Sequence, residues 1–193
     1  VFSGFSEYLP AIRLGTKLKS TRLYQLIFML SGKHQSPSGS WKGMESFLQN
    51  TIFQDDPRLS VVYNQFEANL DDLLTAADGK ECQVLLSTVG VNLSDNPPFA
   101  SQEPKHAERE YRSGLDYLEA GKLGEAQRAF ENARNWDGLR FRADTSINAI
   151  IRELASRHQD GVTLIDSERL LSAEGMAGNE WFFDHVHLSF EGN

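Results

Sequence analysis

Apolar positions recur along this chain with two different periods. Between Ser6 and Leu30 they fall at Tyr8, Leu9, Ile12, Leu14, Leu18, Leu23, Leu26, Ile27 and Leu30, broken near Gly15 and Ser20-Thr21, which predicts two short helices. Gly32 to Ser40 holds turn formers and no apolar residue, so a surface loop or connector is expected, followed by a helix from Trp41 to Ile52. Asp55-Asp56-Pro57 then gives the next helix an acidic cap and a first-turn proline. Its apolar stripe runs through Leu59, Val62, Tyr63, Phe66, Leu70, Leu73 and Leu74 and ends near Asp78-Gly79. Cys82 to Val89 is a short, mostly apolar run of the kind buried in a parallel sheet. Asn92 to Pro98 is a turn-forming loop leaving that strand's carboxyl end, where open α/β sheets bind ligands. Further on, Asp144 caps a helix carrying Ile147, Ile150, Ile151 and Leu154, Gly161 to Asp166 reads as a second buried strand, and a short helix with Leu170 and Leu171 stops at Gly175. Helices feeding buried strands predict an α/β fold.

Charge narrows the partners. With 19 Lys and Arg against 27 Asp and Glu the net charge is −8, which argues against nucleic acid, whose binding draws on a cationic surface. The hydrophobic fraction of 40% and charged fraction of 24% are those of an ordinary folded chain, and no membrane contact is expected within it. One cysteine, Cys82, excludes an internal disulfide and a Cys-rich zinc module, and reads as a small core residue. Val1 opens the chain with no Met or signal segment, and Ser189 stands as an N-cap ahead of a helix not written, so a piece of a longer protein is expected.

From about Lys105 to Trp136 the chain turns dense in Ala, Glu and Arg. Gly114, Tyr117, Gly121, Ala126, Phe130 and Ala133 stand at the offsets of one tetratricopeptide repeat, whose small residues let two helices approach closely. Ser113 replaces the Leu of that motif and Gly138 its Pro, and no second copy is visible, so one helical hairpin is expected. The acidic Glu103, Glu108 and Glu110 read as a solvated helix face, and Trp41 and Trp136 as packing anchors.

Candidate chemistry lies in Trp181-Phe182-Phe183-Asp184-His185-Val186-His187-Leu188. An Asp three residues before a His in a turn lets the carboxylate accept from the ring Nδ1–H while Nε2 points outward as a base. Flanking aromatics are expected to limit water around the pair. The bland alternative is Asp184 as a turn cap and His187 satisfied in the core. His185 and His187 with Asp184 are also conceivable metal ligands, but His34, His106 and His158 sit in loop or helix-surface contexts, so no metal and no cofactor is assigned. Arg140 and Arg142 alternate before a helix; Arg142 is a candidate clamp for an anionic substrate, or else a structural salt bridge.

Taken together, Val84 to Leu93, Leu139 to Asp144 and Gly178 to Asn193 resemble the C-terminal part of an SGNH (GDSL-like) hydrolase, and most closely the bacterial group that inserts a tetratricopeptide-type hairpin before its last helix, strand and catalytic turn. The resemblance implies a partial flavodoxin-like three-layer α/β/α SGNH-hydrolase sandwich: an α/β part over 1–103, a helical hairpin insert over 104–138 and the closing α/β part over 139–193. It implies hydrolysis of ester or O-acyl bonds of small molecules or glycans through an acyl-serine, with Asp184 and His187 as the Asp and His of the triad. The family's Gly-Asp-Ser turn is absent from these residues, so the nucleophile is expected from outside them and the chain alone is expected to be inactive. Gly90-Val91-Asn92 spells a Gly-x-Asn turn, which makes Asn92 a candidate oxyanion donor or, alternatively, a loop-bonding residue. Relatives of this kind are often exported or membrane-anchored, which leaves localisation open. The competing class is a non-catalytic interaction module, in which the hairpin binds a protein partner on a degenerate hydrolase scaffold.

Overall fold

The computed structural model describes residues 8–30, 47, 50–78, 80, 82–102, 104–172 and 176–193. The expected loop over 32–40, most of the expected helix from Trp41 to Ile52, and Gly79, Glu103 and Gly175 lie outside the described residues. The chain divides into two compact units, Val1–Met44 and Glu45–Asn193.

In the first unit, α1 (Leu9–Lys19) and α2 (Arg22–Leu30) form as the apolar spacing predicts. Pro10 sits in the first turn of α1, where its missing N–H costs nothing. The break falls at Ser20-Thr21: Ser20 Oγ donates to Lys17 O, and Thr21 Oγ1 accepts from Tyr24 N–H at 3.3 Å, which starts α2.

The larger unit is built on a two-stranded parallel sheet, β1 (Val84–Ser87) beside β2 (Val162–Ile165), with Val84 opposite Val162 and Ser87 opposite Ile165. Two helices precede the strands, α3 (Arg58–Asp78) and, after a helical hairpin, α6 (Thr145–Arg157). Asp56 Oδ1 accepts from Arg58 N–H at the start of α3, as the acidic cap predicts. Asp144 does the same for Ile147 N–H at the start of α6. The two helices meet over one face of the sheet, where Leu74, Leu154, Ala155 and Val162 are buried with Leu70, Val84, Leu86 and Ile150 packed against them. A short helix, α7 (Ser167–Leu170), follows β2.

The strands are not buried on both faces as the apolar runs suggest. Burial alternates along β1, and Leu85 is 73% exposed, because the described helices cover one face only. Among the described residues the fold is therefore helix-rich α/β, with seven helices and one small parallel sheet. Cys82, expected in the core, is exposed: it precedes β1 and lies at the rim where α3 and α6 end and β2 begins.

The hairpin is present as α4 (His106–Glu119) and α5 (Leu123–Asn135). A methyl group on Gly114 would come 2.7 Å from the Phe130 ring, so the missing side chain sets the approach of the two helices. Gly121, at φ +71°, makes the turn between them. At the open end His106 stacks on Trp136 with ring centres 4.7 Å apart, and Glu108 pairs with Arg112 on the solvent side. The hairpin is not a free arm. Ala126 and Phe130 share a core with Val91 and Leu93 from the loop after β1, and with Tyr111, Ala143, Met176 and Val186. Gly138 explains its own departure from the repeat motif. Its N–H donates to Ala100 O, a bond proline has no proton to make, and the Phe53 ring lies where a side chain would go.

Candidate active site

The turn that carries Asp184 and His187 is fixed at both feet. Phe182 is buried and Val186 packs into the core shared with the hairpin. Phe182 bridges Leu188 in antiparallel fashion, Phe183 N–H donates to His187 O at 2.8 Å, and Ser189 N–H donates to Trp181 O at 2.8 Å. Ser189 Oγ accepts from Gly192 N–H at 3.2 Å, the bond that an N-cap hydroxyl makes.

Within this frame the carboxylate of Asp184 has three donors. Oδ1 accepts from Val186 N–H at 2.9 Å and His187 N–H at 2.8 Å, and Oδ2 takes the ring Nδ1 of His187 at 2.7 Å. The main-chain N–H groups of His187 and Val186, and then the ring, hold the Asp184 carboxyl well below the usual carboxylate range. An ionised carboxylate only accepts, so the ring nitrogen facing it bears a proton, and in the neutral ring the lone pair then lies on Nε2. Among the described residues Nε2 has no hydrogen-bond partner, and the His187 side chain is 76% exposed. The spacing therefore brings the pair together as expected, and its basic nitrogen faces outward.

The expected aromatic cover does not form. Phe183 and Phe190 turn outward and meet each other edge to face, 6.2 Å apart, and the Asp184 side chain stays 44% exposed. The pairing of Phe182 with Leu188 sends Phe182 inward and so its neighbour outward. His185 is the aromatic that packs, edge to face on Phe99 at 5.1 Å and tilted on Phe141 at 6.0 Å. Its Nδ1 lies 3.8 Å from Asp184 Oδ1, beyond hydrogen-bond reach. Among the described residues no group of three or more His, Cys, Asp or Glu is arranged to hold a metal ion.

Asn92 and Arg142 lie in the framework below this turn. Asn92 N–H donates to His185 O at 3.1 Å, which ties the loop after β1 to the Asp–His turn. Its side chain is 1% exposed, donating from Nδ2 to Asn179 Oδ1 at 2.9 Å and accepting at Oδ1 from Asp95 N–H at 3.1 Å. Asp95 Oδ2 in turn accepts from Asn179 N–H, and Ala177 O accepts from both Leu93 and Ser94 N–H. The amide that the Gly-x-Asn spelling offers as an oxyanion donor is thus enclosed in a loop–loop lock, which corrects that assignment in favour of the loop-bonding one. The anion-clamp assignment of Arg142 is corrected in the same way. Its side chain is 3% exposed, with Nη1 on Asn92 O at 3.1 Å and Asn96 O at 2.7 Å, and Nη2 on Asp137 Oδ2 at 3.2 Å. Asp137 is equally buried and also accepts from Phe99, Ala100 and Leu139 N–H. Arg140 pairs with Asp144 at 3.3 Å and donates to Ile52 O.

Polar groups whose roles sequence reasoning passed over organise the carboxyl ends of the strands. Asn148, fully buried on α6, accepts from Val89 N–H at 2.8 Å and donates to Val89 O at 3.0 Å, so a side chain continues the pairing where β1 ends. Arg152 forks onto Asp166 and reaches Glu168, while Arg134 from the hairpin holds the other oxygen of Glu168. Arg152 and Glu168 border a polar surface cavity of about 430 Å³, lined also by Gln127, Glu131, Thr145, Arg169 and Ser172. Only Asn148 had a local signal, a polar residue interrupting the apolar stripe of α6; the others are salt bridges whose partners come from other elements.

Compared with protein-family models, with curated proteins and with solved structures, the chain matches none of them.

Proposed function

We propose that this chain carries the acid–base half of a serine ester hydrolase of SGNH type, acting on ester or O-acyl bonds, within a three-layer α/β/α sandwich to which β1 and β2 would belong. The observation that carries the proposal is the 2.7 Å bond from His187 Nδ1 to Asp184 Oδ2, with Nε2 left open. Support comes also from its placement, since the turn is bonded to the loop leaving the carboxyl end of a parallel strand.

In this scheme a serine hydroxyl supplied from outside the described residues approaches Nε2. His187 takes its proton as Oγ attacks the acyl carbonyl, and Asp184 stabilises the imidazolium. His187 then returns the proton to the leaving alkoxide and activates water against the acyl-serine, which restores the hydroxyl. The open surface around the pair suits an ester carried on a larger molecule, which would itself displace water from the ring.

Two measurements test the scheme. In the 193-residue chain, ring ¹⁵N shifts of neutral His187 should report the Nδ1–H tautomer, and Asp184→Asn should abolish that preference. In a longer chain bearing the Gly-Asp-Ser turn, a fluorophosphonate should label a serine in wild type and do so orders of magnitude more slowly in His187→Ala. Equal labelling of the two would remove His187 from the role of base.

The interaction-module alternative draws on a different observation. Leu115, Leu118 and Leu123 are exposed near the turn of the hairpin. A protein partner that binds there and is lost in Leu118→Asp, in a longer chain without fluorophosphonate labelling, would favour it.

A further inference from the structure

The two helices of the first unit have an unusual combination of properties for a chain this acidic. From Tyr8 to Leu30 there are four basic residues, Arg13, Lys17, Lys19 and Arg22, and no acidic one, while the chain as a whole carries −8. The same stretch exposes large apolar side chains in sequence: on α2, Leu23, Leu26, Ile27, Phe28, Met29 and Leu30 are each more than half exposed, Leu30 at 76%. Only Arg22 and Gln25 are polar among the nine residues of α2. A helix that is apolar on nearly every side requires an apolar surrounding.

Two properties of the segment select that surrounding. The first is length: nine residues make a helix of about 14 Å, well short of the roughly 30 Å hydrocarbon core. Among the described residues no helix is long and apolar enough to cross a membrane. The second is charge. A second copy of this chain would bring four more cations to the same face, whereas an anionic surface is attracted to them. On α1, Leu14 and Leu18 stand four residues apart, as do Arg13 and Lys17, so each pair shares a side of the helix. Apolar residues beside Lys and Arg on short helices is the pattern of segments that lie in the headgroup region of a bilayer.

We propose that α1 and α2 form an interfacial site for an anionic lipid surface, lying in the plane of the bilayer with the apolar side chains of α2 inserted and Arg13, Lys17, Lys19 and Arg22 at the headgroups. It departs from the expectation of no membrane contact, because a net charge summed over the whole chain conceals a basic segment at one end. It is independent of the Asp184–His187 chemistry and is tested without any activity.

The experiment is co-sedimentation of the 193-residue chain with vesicles of phosphatidylcholine alone and of phosphatidylcholine mixed with phosphatidylserine, at low and high salt. Binding to the mixed vesicles, weakened by salt, is expected. Each basic residue near an anionic surface contributes about fivefold in partitioning, so Lys17→Gln/Lys19→Gln/Arg22→Gln should lower the partition coefficient roughly hundredfold. Ile27→Asp should remove binding to both vesicles. Circular dichroism of both variants, matching wild type, keeps a folding defect from being mistaken for a binding defect. Absence of sedimentation with the mixed vesicles overturns the proposal. So does equal binding to both compositions with the triple variant unaffected. Lipid-free self-association that Ile27→Asp abolishes, with no vesicle binding, assigns the face to a second copy and also overturns it.

Discussion

Replacing Arg142 with methionine tests the framework beneath the Asp–His turn. The guanidinium is buried between the Asp137 carboxylate and the carbonyls of Asn92 and Asn96. Burial pushes the Arg142 guanidinium below its ordinary value, and Asp137 opposes the shift, so the pair persists because each charge answers the other. Removing one member of such a pair costs about 3–5 kcal/mol. Asp137 keeps three main-chain donors when the cation goes, which favours the lower end, about 3 kcal/mol. The two carbonyls that lose a donor add on the order of 1 kcal/mol between them. A loss near 4 kcal/mol in a chain of this length lowers Tm by roughly 8–16 °C. Thermal and urea unfolding followed by far-UV circular dichroism measure it, with an unchanged urea slope as the sign that the same structure unfolds. Arg142→Lys keeps the charge without the fork and should fall between wild type and Arg142→Met. Unfolding of Arg142→Met at the wild-type midpoint would refute the framework role and return the residue to the surface clamp that its sequence position suggests.

His158, at the end of α6, has Asp78 on Nδ1 at 2.8 Å and Asp71 on Nε2 at 2.9 Å, so both ring nitrogens must donate and the ring is held as the cation. The two carboxylates, Asp71 first, raise its pKa above the ordinary imidazole value, while Arg157, near Asp71, is a competing cation. A raised folded pKa gives stability that is complete below the unfolded value and is lost as pH rises through the folded one, so the Tm advantage of wild type over His158→Gln should shrink across neutral pH. An advantage that is constant with pH would show that the ring is not charged in the native state. Gly114→Ala would set a methyl group 2.7 Å from the Phe130 ring and should destabilise by about 1–3 kcal/mol, read from urea midpoints, with Phe130→Leu partly restoring it in the double variant.

Local order was the legible part. The caps at Asp56 and Asp144, the helical stripe through Leu59, Leu70 and Leu74, and the glycines of the hairpin each act over a few residues, and the structure bears them out. The Asp184–His187 bond was legible for the same reason, since three residues separate the partners. What the residues alone left open, or missed, depended on distant partners. Arg142 is buried because Asn92, fifty positions earlier, presents a carbonyl to it, and nothing near residue 142 records that. Asn92 stayed open between an oxyanion donor and a loop-bonding residue because its side-chain partner, Asn179, comes from the far end of the chain. The apolar runs at both strands suggested burial on two faces, and a run of apolar letters cannot say how many layers will cover it.

Asp184 is seated by two peptide amides before the imidazole touches it. The seat of the carboxylate is consequently a property of the polypeptide path, whereas the imidazole rests on one exposed side chain. A new side chain at residue 187 would leave both amide bonds to the carboxylate in place, while a shift of the loop between Phe182 and Val186 would dismantle the anion's seat with every side chain unchanged.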